Sequence, residues 1–391
     1  MSQITNLEIN SVIKDIPAHN YSDCLITTID NCDVNYNDFV ENIMIKNLPC
    51  IVKNISTDWE CSHLWIKDGK INYEYISNSY GEIEAPVADC DKIDYNAHCK
   101  FNMQLGEYMK YLSNQSKDKI LYLKDWHLRR IRSNDKFYTV PFIFGSDWLN
   151  EYAEDRQEDD FMFVYIGPSK SWTPFHADVY SSYSWSVNIF GRKKWILLPP
   201  CEEEKIKDSL GNLPLLFNPD QFQNVKYYEI FQEKGDALFV PSGWHHQVTN
   251  LIDTISINHN FINACNIEIV WNSLQKNLIS VEEEIQEFKH TPEFQEQCQL
   301  ILKTVFGMNF VDFLHFILHI AQKRITQIKC KSYVGFNNFC LGIKHIMFDL
   351  NIILKIINLV QNHALFSNKH ISPQEIDTVI NVKNSIIKIT E

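Results

Sequence analysis

The sequence predicts a mainly β fold with helices, a sandwich or barrel followed by a helical region. Two observations lead there. From about residue 160 to 262, short strand-like runs are punctuated by turns. The run 161–166 ends at Gly167-Pro168, and the alternating run 184–190 ends at Gly191. The run 195–198 stops at Pro199-Pro200, 237–240 lies between Gly235-Asp236 and Pro241, and 254–262 alternates again. Beyond 266 the texture changes: apolar residues recur at three- and four-residue spacing over 268–278, 282–290, 292–306, 311–324 and 337–361, which reads as helix. The chain thus divides into an N-terminal mixed α/β part (1–155), a β core (156–265) and a C-terminal helical region (266–391). In the first part, 38–45 reads as an amphipathic helix, and Cys50-Ile51-Val52 and 120–123 as short strands. The helices could cap the barrel or pair two copies as a homodimer.

Composition narrows the function. At 45% hydrophobic and 13% aromatic, the 391 residues can bury a sizeable core. Lys and Arg number 36 against 49 Asp and Glu, a net charge of -13, and no basic run exceeds a triplet. Nucleic-acid binding needs a basic footprint, so DNA and RNA are not expected as direct ligands. An acidic surface instead steers a basic protein partner. The densest acidic stretch, 151–160, reads as a solvated loop. Eleven Cys without a CxxC pair point to reduced thiols, in cytoplasm or nucleus. The first sixteen residues lack the basic and apolar regions of a signal peptide. The longest apolar run, 310–321, is broken by Asp312, His315 and His319, too short and polar for a membrane span.

The chemistry concentrates in two stretches. In Ser171-Trp-Thr-Pro-Phe-His176-Ala-Asp178, residues i and i+2 of an extended chain share a face, so His176 and Asp178 present an imidazole and a carboxylate side by side. In Phe239-Val-Pro-Ser-Gly-Trp-His245-His246, a second imidazole arrives after a tight turn. Two His and one carboxylate form a face that leaves positions open on a non-haem Fe(II). Alternation also puts Ser184, Ser186 and Asn188 on one inward face, with Trp185, Val187 and Ile189 outside. His259 reads as a packed histidine. His315 and His319 share a helix face without the Glu of a zinc-protease motif and read as packing too. Trp195 and Trp244 read as core.

Three runs resemble the JmjC family of 2-oxoglutarate oxygenases: Trp172-Thr-Pro-Phe-His-Ala-Asp, Gly191-Arg-Lys-Lys-Trp-Ile-Leu-Leu-Pro-Pro, and Gly235-Asp-Ala-Leu-Phe-Val-Pro-Ser-Gly-Trp-His-His. Looser matches are Asn47-Leu-Pro-Cys-Ile-Val, Trp59 and Leu121-Tyr-Leu-Lys-Asp-Trp-His, so the resemblance spans roughly 35–265. It implies a double-stranded β-helix (cupin, jelly-roll) core that uses Fe(II), 2-oxoglutarate and O2, with ascorbate as reductant in vitro. It implies His176, Asp178 and His246 as the metal ligands through which catalysis runs. His245 sits where the family motif Pro-x-x-Trp-Trp-His has its second Trp, and is the alternative ligand. Lys193, two residues past Gly191, matches the cation that pairs with the distal carboxylate of 2-oxoglutarate; Lys194 is the solvated alternative. Tyr122 and Thr173 match hydroxyls on the same carboxylate, and Asn260 an amide lining the metal site. Some relatives carry Asn where Ser184 and Ser186 stand, so Ser186 or Asn188 is expected to meet the other carboxylate.

The family branch these motifs look most like implies lysyl C4-hydroxylation of the eukaryotic peptide-chain release factor. That makes the expected partner a protein substrate in translation termination. Two competing readings are an N-methyl-lysine demethylase, which uses the same iron chemistry, and a catalytically inactive cupin-like binding module. Against the first, JmjC demethylases more often carry Glu at the carboxylate position. Against the second, His176, Asp178, His246 and Lys193 are all intact.

Overall fold

The computed structural model describes residues 5–21, 24–95, 97–367 and 370–391. The strands that frame the site are β1 (Thr27–Asp30), β2 (Cys50–Lys53), β3 (Glu84–Asp94), β4 (Ala97–Gln104), β5 (Leu121–Trp126), β6 (Met162–Gly167), β7 (Trp172–His176), β8 (Tyr183–Phe190), β9 (Lys193–Leu198), β10 (Tyr228–Gln232), β11 (Ala237–Val240), β12 (His245–Asn250) and β13 (Thr254–Phe261). They form a nine-stranded sheet, in the order β1-β2-β11-β8-β13-β6-β5-β3-β4, and a four-stranded sheet, β7-β12-β9-β10. The two sheets face each other as a cupin-like barrel, and strands from the N-terminal part extend the larger one on both sides.

Period-two alternation decides what each face meets. On β8 and β13, Trp185, Val187, Ile189, Ile255 and Ile257 point outward into one continuous core shared with the N-terminal segment and the C-terminal helices. The barrel interior itself is divided. One half is apolar, filled by Trp195, Leu197, Leu238, Val240, Trp244 and Val248. The other half is lined by polar pairs across β8 and β13: Ser184 with Asn260, Ser186 with Asn258, and Asn188 with Ser256. The outer face of the smaller sheet, including Phe175, Ile196 and Leu198, lies under the excursion between β9 and β10 through Ile206 and Phe217.

Beside the barrel lie the helices α1 (Trp148–Arg156), α2 (Ile267–Glu284), α3 (Phe294–Phe306), α4 (Phe310–Cys330), α5 (Ile343–Gln361) and α6 (Pro373–Thr390). Capping boxes start two of them, Asn309 with Asp312 at α4 and Ser372 with Glu375 at α6. The helical region is tied to the barrel by a buried ion network. Arg324, 1% exposed, donates Nη2 to Glu151 Oε2 of α1 at 2.8 Å and Nε to Asp349 Oδ2 of α5 at 2.7 Å. Trp148 Nε1 donates to the same Asp349 oxygen at 3.2 Å. Among the described residues, no single helix is long and apolar enough to cross a membrane.

Several local expectations are corrected. The stretch 151–160 is not a free loop: its first six residues lie in α1, where Glu151 is buried against Arg324 and Asp155 accepts from Lys323 and His319. His315 and His319 are not packed apolar histidines; each bonds a carboxylate of another helix, Glu375 at 2.6 Å and Asp155 at 2.7 Å. The run 337–361 becomes helical only at Ile343, because Phe339–Leu341 pairs in parallel with Thr5–Leu7 as a small sheet. The run 282–290 continues the end of α2 and then breaks into a short 3-10 turn. Helix α6 was not anticipated, although Ser372-Pro-Gln-Glu375 is a capping-box signature with Pro at the first helical position.

The Arg324 network sets a clear stability expectation. Arg324→Met strips buried Asp349 of its guanidinium and leaves buried Glu151 with only Lys323, 3.0 Å away, which costs about 3–5 kcal/mol. Lys323→Met, which removes a partly exposed ammonium from Asp155 and from Glu151 while Arg324 still holds Glu151, costs less, about 1 kcal/mol. Urea unfolding of the two variants measures both, and equal losses contradict the assignment.

Candidate active site

At the open end of the barrel, His176, Asp178 and His246 bring three potential ligand atoms within 4.8 Å of one another. His176 ends β7 and His246 is second in β12, and the two pair across the strands. Thr173 and His176 are three residues apart, which plain alternation would put on opposite faces. The register slips between them, and the irregularity restores both to the inward face. Asp178 follows the strand in extended conformation.

Their hydrogen bonds set the chemistry of the ligand atoms. His176 Nδ1 meets the Pro174 carbonyl at 2.7 Å, and His246 Nδ1 meets the Trp244 carbonyl at 3.1 Å. A carbonyl only accepts, so both Nδ1 atoms carry the proton and each Nε2 keeps a free lone pair. Asp178 Oδ2 accepts from Ser184 Oγ at 2.7 Å, leaving Oδ1 to turn inward. Burial, with His246 adding to it, pushes His176 down to about 4, so its imidazole is neutral at physiological pH. A neutral imidazole, rather than an imidazolium, is what a metal takes. The donor set therefore fits a ferrous ion. His245 faces away: it stacks on Phe175 with ring centroids 5.5 Å apart, and Nδ1 lies 3.9 Å from Glu203.

Lys193 lies deeper in the barrel, at the foot of β9. Gly191 makes the turn into this strand with φ +93, where a Cβ would strike the Asp253 carbonyl at 2.2 Å. Lys193 is 1% exposed and donates to Ser256 Oγ at 2.6 Å. Among the described residues no carboxylate pairs with it, and burial alone pushes its ammonium down to about 7. A buried cation answered only by a hydroxyl is costly unless an anion joins it. Tyr122 is buried in the same region, its ring 5.9 Å from that of Tyr165, whose face lies 5.9 Å from Lys193 Nζ. Gly167 permits this approach, since a Cβ there would lie 2.5 Å from the Tyr122 ring.

The other expected residues fall along the polar wall. Thr173 pairs with Val248 beside the metal strand. Asn260 lies at the metal end, opposite Ser184, with Nδ2 on Ser182 Oγ at 3.1 Å. Ser186 is midway, buried, with an unpartnered hydroxyl. Asn188 is at the Lys193 end, its Nδ2 held by the Gly191 carbonyl at 2.7 Å. Lys194 points outward to Glu229 at 2.6 Å. His259 packs as expected, stacked 4.0 Å from Trp185 and bonded to Tyr138. Sequence reasoning passed over Ser256, Asn258, Tyr165, Asn250 and Lys124. The signal for the first two was present: Ser256, Asn258 and Asn260 alternate with Ile255, Ile257 and His259. Volume does not locate this site, since a cleft of about 730 Å³ lined by Trp59, Arg129 and Lys136 shares none of these residues.

A barrel with a His/Asp/His cluster at its mouth and a lone buried lysine below it defines the class, and the comparisons agree. The cupin-like domain family matches residues 36–267, and the chain belongs to the 2-oxoglutarate- and iron-dependent oxygenases of this cupin-like, JmjC type. It is 40% identical over 361 residues to 2-oxoglutarate and iron-dependent oxygenase JMJD4 of Danio rerio, covering 85% of this chain and 86% of that protein. It is 38% identical over 351 residues to the Homo sapiens JMJD4, covering 85% and 84%. It is 33% identical over 362 residues to arginine-specific demethylase JMJ20 of Arabidopsis thaliana, covering 85% and 78%.

The buried imidazoles carry a pH signature. His176, His98 and His245 are all pushed down to about 4 chiefly by burial. Between pH 6.5 and 4 the unfolded chain takes up protons that the folded imidazoles refuse. The stability of metal-free protein is therefore full above 6.5 and lost as pH falls towards 4. Denaturant unfolding across this window shows the slope, and His98→Phe with His245→Phe flattens it; a level profile for the unsubstituted protein contradicts the picture.

Proposed function

We propose that this oxygenase hydroxylates a lysine side chain of a protein substrate, the peptide-chain release factor, at C4. The observation that carries the oxygenase chemistry is the pairing of a three-ligand metal face with the uncompensated Lys193 ammonium below it. His176, Asp178 and His246 hold the iron, and the carbonyls of Pro174 and Trp244 fix the tautomer and aim of both imidazoles. When bound, iron and 2-oxoglutarate together activate O2, giving a hydroxylated product, succinate and CO2. Lys193 receives the distal carboxylate, with Tyr122 and Thr173 beside it, and the resulting charge-assisted contact offsets the burial of both ions. Ser186 and Asn260 line the wall on the metal side, and Asn188 supports the Lys193 end through the Gly191 turn. The apolar half of the barrel, with Trp195 5.6 Å from His246, keeps bulk water from the reacting centre.

The lysine reading is supported by Asp178 in the carboxylate position and by the likeness, at 38–40% identity, to the JMJD4 oxygenases. The net charge of -13 suits a basic protein partner met in the cytoplasm or nucleus. A second reading, N-methyl-arginine demethylation, is favoured by the name of the Arabidopsis relative. Incubation with Fe(II), ascorbate, 2-oxoglutarate and a release-factor fragment, followed by peptide mass mapping, separates them. Hydroxylation adds one oxygen to a lysine, whereas demethylation of a methylated peptide removes one CH2 from an arginine. Succinate production with no modified lysine rejects the proposed substrate. Asp178→Ala is expected to lose metal binding and turnover together. Lys193→Met is expected to keep the metal and raise the KM for 2-oxoglutarate by about tenfold or more.

A further inference from the structure

A second buried lysine stands near the metal cluster. Lys124 is 7% exposed, and among the described residues its ammonium has neither a hydrogen bond nor an ion pair. Alternation along β5 turns Tyr122 and Lys124 inward, while Leu123 joins the outer core. Asp125, with φ +60, interrupts the strand, and the slip returns Trp126 to that same core. Asp125, next in sequence, attracts the Lys124 charge but makes no ion pair with it: its Oδ2 binds Lys100 Nζ at 2.5 Å and its Oδ1 accepts from Tyr165 at 2.6 Å.

The strand register sets the position of Lys124: Leu123 is level with Ile166 and Ile255, and Trp126 with Val164 and Ile257, on the way to Asn260 at the metal end. On β4, in the same sheet, the His98 ring packs 4.3 Å from Trp172, the first residue of β7. His98 is itself 6% exposed with both ring nitrogens unpartnered. Lys124 therefore lies on the metal side of Tyr122, on the strand next to β3.

We propose that Lys124 binds the keto-acid (C1) carboxylate of the cosubstrate, so that the diacid is gripped by one lysine at each end. This rests on the 2-oxoglutarate reading of the site and adds a residue to it. Same-face neighbours on a strand are about 6.6 Å apart, so Lys124 stands about one such step from Tyr122, at the distal end. The two carboxyl carbons of a five-carbon diacid are about 5 Å apart, a matching span. Burial and the nearby Lys100 hold the Lys124 ammonium below the ordinary lysine range, against the pull of Asp125, and an arriving carboxylate favours its charged form. A small diacid reaches such a depth, whereas a carboxylate on the surface of a folded partner does not.

The test uses full-length protein loaded with Mn(II), which binds the cosubstrate without turnover. Wild type, Lys124→Met, Lys124→Gln and Lys193→Met are titrated calorimetrically with 2-oxoglutarate and with 2-oxopentanoate, which keeps the keto-acid end but lacks the distal carboxylate. Both Lys124 variants are expected to keep wild-type Mn(II) affinity and bind each acid about tenfold or more weakly. Lys193→Met is expected to weaken 2-oxoglutarate alone. The proposal is overturned if both Lys124 variants bind 2-oxoglutarate as wild type does. It is also overturned if they weaken 2-oxoglutarate while sparing the monoacid, or if the weakening follows lost metal. Wild type that holds Mn(II) yet binds neither acid overturns the cosubstrate reading and this inference with it.

Discussion

The cost of burying an ammonium without a carboxylate opposite it is the constraint on which the architecture turns. Lys193 sits inside the barrel, where among the described residues its one hydrogen bond is to the Ser256 hydroxyl. A folded chain does not place a charge there for stability, since an apolar side chain of similar volume serves that purpose better. The surrounding wall is arranged to tolerate the charge. Where β8 and β13 face the interior they carry Ser and Asn, and their apolar residues face outward into the core shared with the helices. This inverts the usual order of a barrel, and it succeeds because the outward face is itself covered.

The C-terminal region supplies much of that cover, so it is part of the site's construction. Helix α4 carries Arg324 into a fully buried position between α1 and α5. Along the same helix, at one-turn intervals, His315, His319 and Lys323 bond carboxylates of α6 and α1. Helix α1 in turn reaches the barrel: Asn150 donates to the Asn260 carbonyl at 2.9 Å and accepts from the Phe161 amide at 2.7 Å. A chain of charged and amide contacts thus runs from the helices to the strand that carries Asn260.

How legible this was from sequence depended on whether a residue's role is local. The barrel strands were readable because period two and Gly/Pro punctuation are local signals, and Gly191 and Gly167 stand where the backbone requires them. The metal face was readable because His176 and Asp178 are neighbours in sequence and His246 follows a distinctive turn. Glu151, His315 and His319 were misread because their partners lie 60 to 173 residues away, and composition alone makes such residues look solvated or packed. Lys124 was hidden for a related reason. An isolated lysine in a mixed run reads as surface, and only the sheet order, with β5 beside β6, turns it inward.

The two buried lysines also bear on how the protein divides stability from function. On the proposed reading, each meets its carboxylate partner when the cosubstrate binds. Ligands that bind the folded state alone stabilise it by mass action, and here that gain includes relief of two desolvated ammonium groups. Substituting either with an apolar residue would ease the empty fold while weakening the grip on the diacid, the trade-off expected wherever a binding site is built at the expense of packing. The same logic explains the polar interior wall: Ser186, whose hydroxyl has no partner among the described residues, is a donor held in reserve. In this barrel a polar path runs from His176 and Asp178 down to Lys193, and among the described residues Ser186 Oγ and Asn188 Oδ1 stand on it without a hydrogen-bond partner. The path is continuous because each strand contributes on a two-residue step, and it is dry because the opposite wall is made of Trp195, Leu197 and Val248.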